Sequence, residues 1–208
     1  MSTEPLSGFR LSPQQERLWH LQPEGSAYGA FCMVEIEGAL DRTALKAAVQ
    51  GSILRHESLR SQFCRLPGMK TPIMVIAQTC APQWEDLDWT GVAPQTQESR
   101  MTEWLQAAPI GAEDLSQFPL LRVKLLQLAT ERHLLLFHLP ALCLDTQSLR
   151  LLVREISERY EDSAPLSSTE AAVQYVQFAQ WQHQLLTEAE SQAGRAYWSV
   201  SHRIGSQI

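Results

Sequence analysis

His133-Leu134-Leu135-Leu136-Phe137-His138-Leu139-Pro140-Ala141-Leu142-Cys143-Leu144-Asp145-Thr146-Gln147-Ser148 is the stretch from which the fold can be read. From Leu134 to Leu139 the run is almost continuously apolar. A run this short and unbroken fits a strand buried on both faces, because a strand covered on one face alternates. Pro140 bounds it. A loop with Ala141 and Cys143 follows, and then Asp145 or Thr146 stands where a helix N-cap belongs. The next residues place Leu149, Leu152, Val153, Ile156 and Tyr160 on one helical face, a stripe suited to packing against that strand. Strand, tight loop and capped helix is an arrangement on which α/β proteins place their chemistry. This loop carries no histidine, serine or lysine to perform it.

Working outward, the same alternation of strand and helix patterns recurs. Ser12 and Pro13 are a cap and a first helical residue for a short helix carrying Leu18, Trp19 and Leu21. Gly29 to Glu37 alternates, with Ala30, Cys32, Val34 and Ile36 on one side and Glu35 and Glu37 on the other. Asp41 caps a helix whose stripe is Leu45, Ala48, Val49 and Ile53. A strand from Leu59 to Leu66 turns at Pro67-Gly68 and returns over Thr71 to Ile76. Residues 77–118 are irregular, with one helix over Gln97 to Ala107. Leu121, Val123 and Leu125 alternate with Arg122 and Lys124, which read as a solvated strand face. Ser163 to Ser168 is a polar linker, and Ser168 or Thr169 caps a last helix with Val173, Val176, Phe178, Trp181 and Leu185. The order predicts an α/β sandwich, helices packed on a mixed sheet.

With 208 residues the chain can bury a substantial core. A composition 44% hydrophobic and 19% charged is that of a globular protein. A net charge of −6, without a basic run, excludes a phosphate-backbone binder. No stretch approaches membrane-spanning length and the N-terminus has no signal-peptide core, so a cytoplasmic location is expected. The cysteines, Cys32, Cys64, Cys80 and Cys143, have no metal spacing and read as reduced thiols.

Three segments, in order, resemble the condensation domains of nonribosomal peptide synthetases. Leu11 to Trp19, LSPQQERLW, is similar to that family's opening S-x-A-Q-x-R-x-W motif. Arg55 to Phe63, RHESLRSQF, is similar to R-H-E-x-L-R-T-x-F, with Ser61 for Thr. The stretch quoted first stands where the family has H-H-x-x-x-D-G-x-S, and Asp114-Leu115 with Pro119-Leu120-Leu121-Arg122 matches the segment before it. The resemblance implies a chloramphenicol-acetyltransferase-like two-layer sandwich, one lobe of a V-shaped pair. It divides the chain into a flexible tail (1–10), the N-terminal lobe (11–165) and a helical extension (166–208) leading toward the second lobe. The opening Met1 points to a starter-module or stand-alone position. The partners implied are acyl or peptidyl carrier protein domains and adjacent synthetase domains, with no nucleic acid and no membrane. No cofactor is bound directly, and phosphopantetheine arrives on the carriers.

Counted back from Asp145, the two signature histidines fall on Pro140 and Ala141, and the glycine on Thr146. A methyl group can neither accept a proton nor orient an amine, so no catalytic residue is expected at Ala141. Two substitutes stand nearby. His138 is either a base or a core histidine satisfied by backbone, and Cys143 is either a nucleophile or a small buried apolar residue. His56 and Glu57 are architectural in the family, His20 reads as surface, and Tyr175, Trp181, Tyr197 and Trp198 read as packing. The resemblance pairs Asp145 with Arg60 and makes Arg55 structural; as an alternative, Asp145 is an exposed N-cap. Two functions follow: a catalytically impaired lobe that binds carriers or serves as scaffold, or an active acyltransferase joining carrier-bound thioesters through a non-standard residue set.

Overall fold

The structure, a computed structural model, describes residues 8–22, 26–106, 110–111, 115–162, 172–187 and 194. In chain order these form β1 (Gly8–Arg10), α1 (Pro13–Leu21), β2 (Ser26–Ala27), β3 (Gly29–Glu37) and α2 (Arg42–Arg55). There follow β4 (Ser61–Cys64), β5 (Ile73–Ile76), β6 (Gln83–Asp88), α3 (Pro94–Gln106), β7 (Ile110–Gly111), β8 (Arg122–Ala129), β9 (Arg132–Pro140), α4 (Thr146–Asp162) and α5 (Tyr175–Thr187). β9 is the strand expected from the apolar run, and it lies inside a four-stranded sheet of order β3-β9-β8-β6. β3 and β8 flank it antiparallel, in registers running from Gly29↔Pro140 to Glu37↔Arg132 and from Arg122↔His138 to Ala129↔Arg132. β6 is parallel to β8. The sheet is therefore mixed, and the parallel pair requires a crossover, which contains α3.

β9 is buried on both faces because two apolar layers meet it. Leu135, Phe137 and Leu139 join the main core with Val123 and Leu125 of β8, Leu45, Val49 and Ile53 of α2 and Leu149, Leu152 and Ile156 of α4. Leu134 and Leu136 point the other way, into a smaller cluster with Leu126, Leu128, Met101 and Trp104. Each such leucine, fully buried, contributes about 1.5–3 kcal/mol. Caps fix where the helices start. Asp41 Oδ1 accepts the amides of Thr43 and Ala44 at 2.9 and 3.0 Å, and Ser12 with Gln15 forms a reciprocal capping box on α1.

A second, antiparallel sheet has the order β1-β5-β4, and β2 pairs with β7. Residues 8–10, expected in a loose tail, form β1 because the edge of β5 offers them a ladder from Gly8↔Val75 to Arg10↔Ile73. Only Ser61–Cys64 of the expected 59–66 strand is strand, preceded by a 3-10 turn over Glu57–Arg60. β6 was not expected: Gln83-Trp84-Glu85-Asp86-Leu87-Asp88 is polar because it is a sheet edge, exposed at four of six positions. Lys124 is not on a solvated face. Its ammonium lies 3.4 Å from the Trp104 ring centroid and 2.9 Å from Glu85, beneath α3. Val173 lies before α5 and is exposed, since the helix begins at Tyr175. Asp114, the 163–169 linker with its caps, Tyr197 and Trp198 lie outside the described residues.

Candidate functional site

The loop between β9 and α4 forms one wall of a cleft of about 570 Å³. Ala141, Leu142, Cys143, Leu144 and Asp145 line it, opposite Gln14, Gln15 and Leu18 of α1. His56, Ser58 and Leu59, with Ser148, Leu151, Leu152 and Glu155 of α4 and Tyr175 and Phe178 of α5, complete it. Short bonds hold the loop. The Ala141 amide donates to the Tyr28 carbonyl at 2.7 Å and the Cys143 amide to the Pro140 carbonyl at 2.9 Å. Gln15 Nε2 donates to the Leu142 carbonyl at 2.8 Å. The opening motif and the signature loop are thus joined through one buried amide side chain, a role invisible in the spacing of either segment.

The cleft's titratable cluster sits on α4. Glu155 Oε2 is 2.6 Å from His56 Nε2, and Oε1 accepts from Arg159 Nε at 3.0 Å; Arg55 Nε approaches to 4.0 Å. Burial alone would raise the Glu155 carboxyl. The bond and charge of His56, followed by those of Arg159, outweigh it and bring the pKa to about 2. The imidazole is held by an ionised carboxylate, the arrangement that orients a histidine.

The two candidate substitutes are separated by the sheet. His138 shares the far face with Leu134 and Leu136, stacked on Phe31 at 4.2 Å and 13°. Burial, then Arg122 and Lys124, lower its pKa to about 4, so it is neutral near pH 7. Its Nε2 is buried without a hydrogen-bond partner, and His138 is absent from the cleft lining. Cys143 does line the cleft, but burial pushes its thiol up to about 12, which leaves negligible thiolate at neutral pH.

Asp145 and Arg60 have different partners. Asp145 is exposed and accepts the Ser148 amide at 2.8 Å, the N-cap of α4; that bond first, then the Ser148 side chain, lowers its pKa. Arg60, placed by the 3-10 turn at the start of β4, donates to the Ala77 carbonyl and lies 3.6 Å from Glu57. The turn sends the guanidinium toward the second sheet. The expected Asp145–Arg60 pair is therefore replaced by two local bonds, and the alternative reading of Asp145 is the observed one.

The model of the condensation domain matches residues 8–205 of this sequence. The chain belongs to the condensation-domain family. This condensation-domain chain is 31% identical over 204 residues to gramicidin S synthase 2 of Aneurinibacillus migulanus, covering 95% of the chain and 4% of that protein. It superposes with a TM-score of 0.76 and 22% identity on the EpoB cyclization-docking bidomain from Sorangium cellulosum, over 96% of this chain and 39% of that one. A starter condensation domain of rhizomide synthetase in complex with C8-CoA gives a TM-score of 0.77 at 22% identity, over 92% and 44%. The condensation-domain chain thus spans under half the length of these solved chains and a small fraction of the synthetase. The fold is the mixed α/β lobe expected. Among the described residues no group of three His, Cys, Asp or Glu could hold a metal, and no helix is long and apolar enough to cross a membrane.

Proposed function

We propose that this chain is the N-terminal lobe of a nonribosomal peptide synthetase condensation domain that has kept the cleft and lost the catalytic imidazole. On this reading it binds carrier proteins or bridges synthetase domains in peptide natural-product biosynthesis. One observation carries the reading: at the position that the resemblance assigns to the signature histidine, the cleft is lined by Ala141, whose side chain is a methyl group and whose amide donates to the Tyr28 carbonyl. Phosphopantetheine would reach the cleft on carriers, and exposed Arg17 of α1 and Arg150 of α4, on two helices that line it, would steer acidic ones. Affinity should be micromolar and weakened by salt. The experiment is intact-protein mass spectrometry of two loaded carrier proteins with the chain. The expected result is no condensed product above the enzyme-free background; product abolished by heating would overturn the reading.

A second reading is favoured by His56, a cleft-lining imidazole tied to Glu155. With a second lobe in place, this pair would supply the non-standard base of an active acyltransferase. His56→Gln would then abolish product, whereas under the first reading there is none to lose.

A further inference from the structure

We infer that the outer edge of β3 joins the same strand of a second copy of this chain, extending the central sheet antiparallel across a twofold axis at Met33. β3 stands at one end of the order β3-β9-β8-β6, and among the described residues no strand pairs with its other side. The two ends of this sheet differ. β6 is short and polar and carries Glu85, Asp86 and Asp88, charges of the kind that keep an exposed edge from pairing. β3 is nine residues long, in unbroken register with β9 and without lysine or proline. On the face away from the main core Phe31 is 39% and Met33 48% exposed. On the core face Cys32, Val34 and Ile36 are only half-buried. There a crevice of about 170 Å³ opens between Val34 and Ile36 on one side and Val153 and Tyr160 of α4 on the other. Both faces lack cover along the same strand.

The ladder fixes which backbone groups point outward. The Ala141 amide donates to the Tyr28 carbonyl and the Gly38 amide to the Glu131 carbonyl, bonds that flank the register pairs Gly29↔Pro140 and Glu37↔Arg132. Both pairs are therefore of the non-hydrogen-bonded kind, and Ala30, Cys32, Val34 and Ile36 exchange bonds with β9. Gly29, Phe31, Met33, Glu35 and Glu37 turn their N–H and C=O groups to the open side. With the axis at Met33, Phe31 faces Glu35 of the second copy and Gly29 faces Glu37 of the second copy. That register forms about ten backbone bonds, the usual number for a specific interface, and no like charges meet. An axis at Glu35 would set two carboxylates opposite each other, and one at Phe31 would use only Gly29, Phe31 and Met33. On the core face Val34 meets Cys32 of the second copy and Ile36 meets Ala30, so apolar side chains extend over both crevices. This self-complementarity selects a second copy as the occupant. A strand edge about 30 Å long and about 10 Å deep covers about 300 Å² of each copy. A tight complex covers about 800 Å² a side, so the dimer is weak, with a Kd in the micromolar range.

The test is sedimentation velocity of the full chain from about 5 to about 500 µM, a span that brackets such a Kd. The mass should rise with concentration from 23.5 kDa toward twice that value. Two variants then read the register. Phe31→Glu sets a carboxylate opposite Glu35 of the second copy at two symmetric places, and Phe31→Lys sets an ammonium there. Both remove the same ring from His138, so any cost to the fold is shared, and the lysine variant should dimerise about tenfold more tightly or better. Hydrogen exchange of the unaltered chain is the second readout, independent of any variant. Exchange at the outward amides of Phe31, Met33 and Glu35 should slow as concentration rises, while exchange along β6 should not change. A chain monomeric over the whole span, or equal affinity of the two Phe31 variants, would overturn the inference. Concentration-dependent protection on another element, with none on β3, would overturn it as well.

Discussion

At the scale of single residues, charge is decided by the nearest partner. The resemblance paired Asp145 with a guanidinium; α4 places it at the surface, where a backbone amide suffices. Asp145→Ala should therefore cost about 1 kcal/mol, the loss of a cap. Combined with Arg60→Ala, the losses should add, since the two share no bond; urea melts of both singles and the double mutant measure this. Glu155 is the residue whose loss should be felt. Glu155→Ala leaves His56 and Arg159 without their carboxylate in a half-buried site, and should cost on the order of 2 kcal/mol by the same melts. Its pKa lies below the ordinary 4.5, at about 2. The stability it contributes is present above about pH 4.5 and is lost as pH falls toward 2, because the unfolded chain binds the proton more readily there. His138 acts in the same direction in a higher window, from 6.5 down to about 4. Acid titration of His138→Phe should flatten the upper part of the profile, and Glu155→Gln the lower part.

At the scale of elements, the signature loop is held from outside itself. Gln15 is buried on α1; its amide spans the Ser12 amide, which it accepts at 3.0 Å, and the Leu142 carbonyl, to which it donates. Gln15→Ala removes both bonds and should cost about 1–3 kcal/mol. It should also raise hydrogen exchange at the Ala141 and Cys143 amides of the loop more than within β9. α5 is tied to the same helix, through Tyr175 OH to Ser12 Oγ at 2.7 Å and His183 Nε2 to the Leu11 carbonyl at 2.7 Å. On the other face of the sheet, a Cβ at Gly29 would fall 2.8 Å from His138 Nε2 and 3.2 Å from the Phe31 ring. Gly29→Ala should push the imidazole off Phe31, cost about 1 kcal/mol, and move the His138 titration measured by NMR.

At the scale of the whole molecule, the central sheet is covered more fully on one face than on the other. α1, α2, α4 and α5 supply the large core. α3 shelters only the β6–β8 side, so Leu136 is buried while Met33, its register partner on β3, is 48% exposed. Leu136→Ala should then cost about 2–4 kcal/mol. Met33→Ala should stay within about 0.5 kcal/mol, although the two side chains are neighbours on one sheet face. Thermal melts of the two variants compare them directly.

The apolar run of β9, the alternation of β3, the Asp41 cap and the stripes of α2 and α4 were legible because each is a short-range pattern. Periodicity and capping chemistry act within a few residues, so the chain alone determines them. The lack of a histidine between Pro140 and Asp145 was legible too, since it is a matter of side-chain identity. Other features depended on residues far apart in the chain. β6 is strand only because β8 offers it a ladder, and Lys124 is sheltered only because α3 lies over it. His138 is excluded from the cleft by the face of the sheet on which it falls, and Cys143 is silenced by burial. His56 reaches Glu155 across 99 positions of sequence, and Gln15 reaches Leu142 across 127. Local pattern determined the elements; tertiary packing decided which side chains meet, because burial and partnership are properties of the assembled surfaces and not of any one segment.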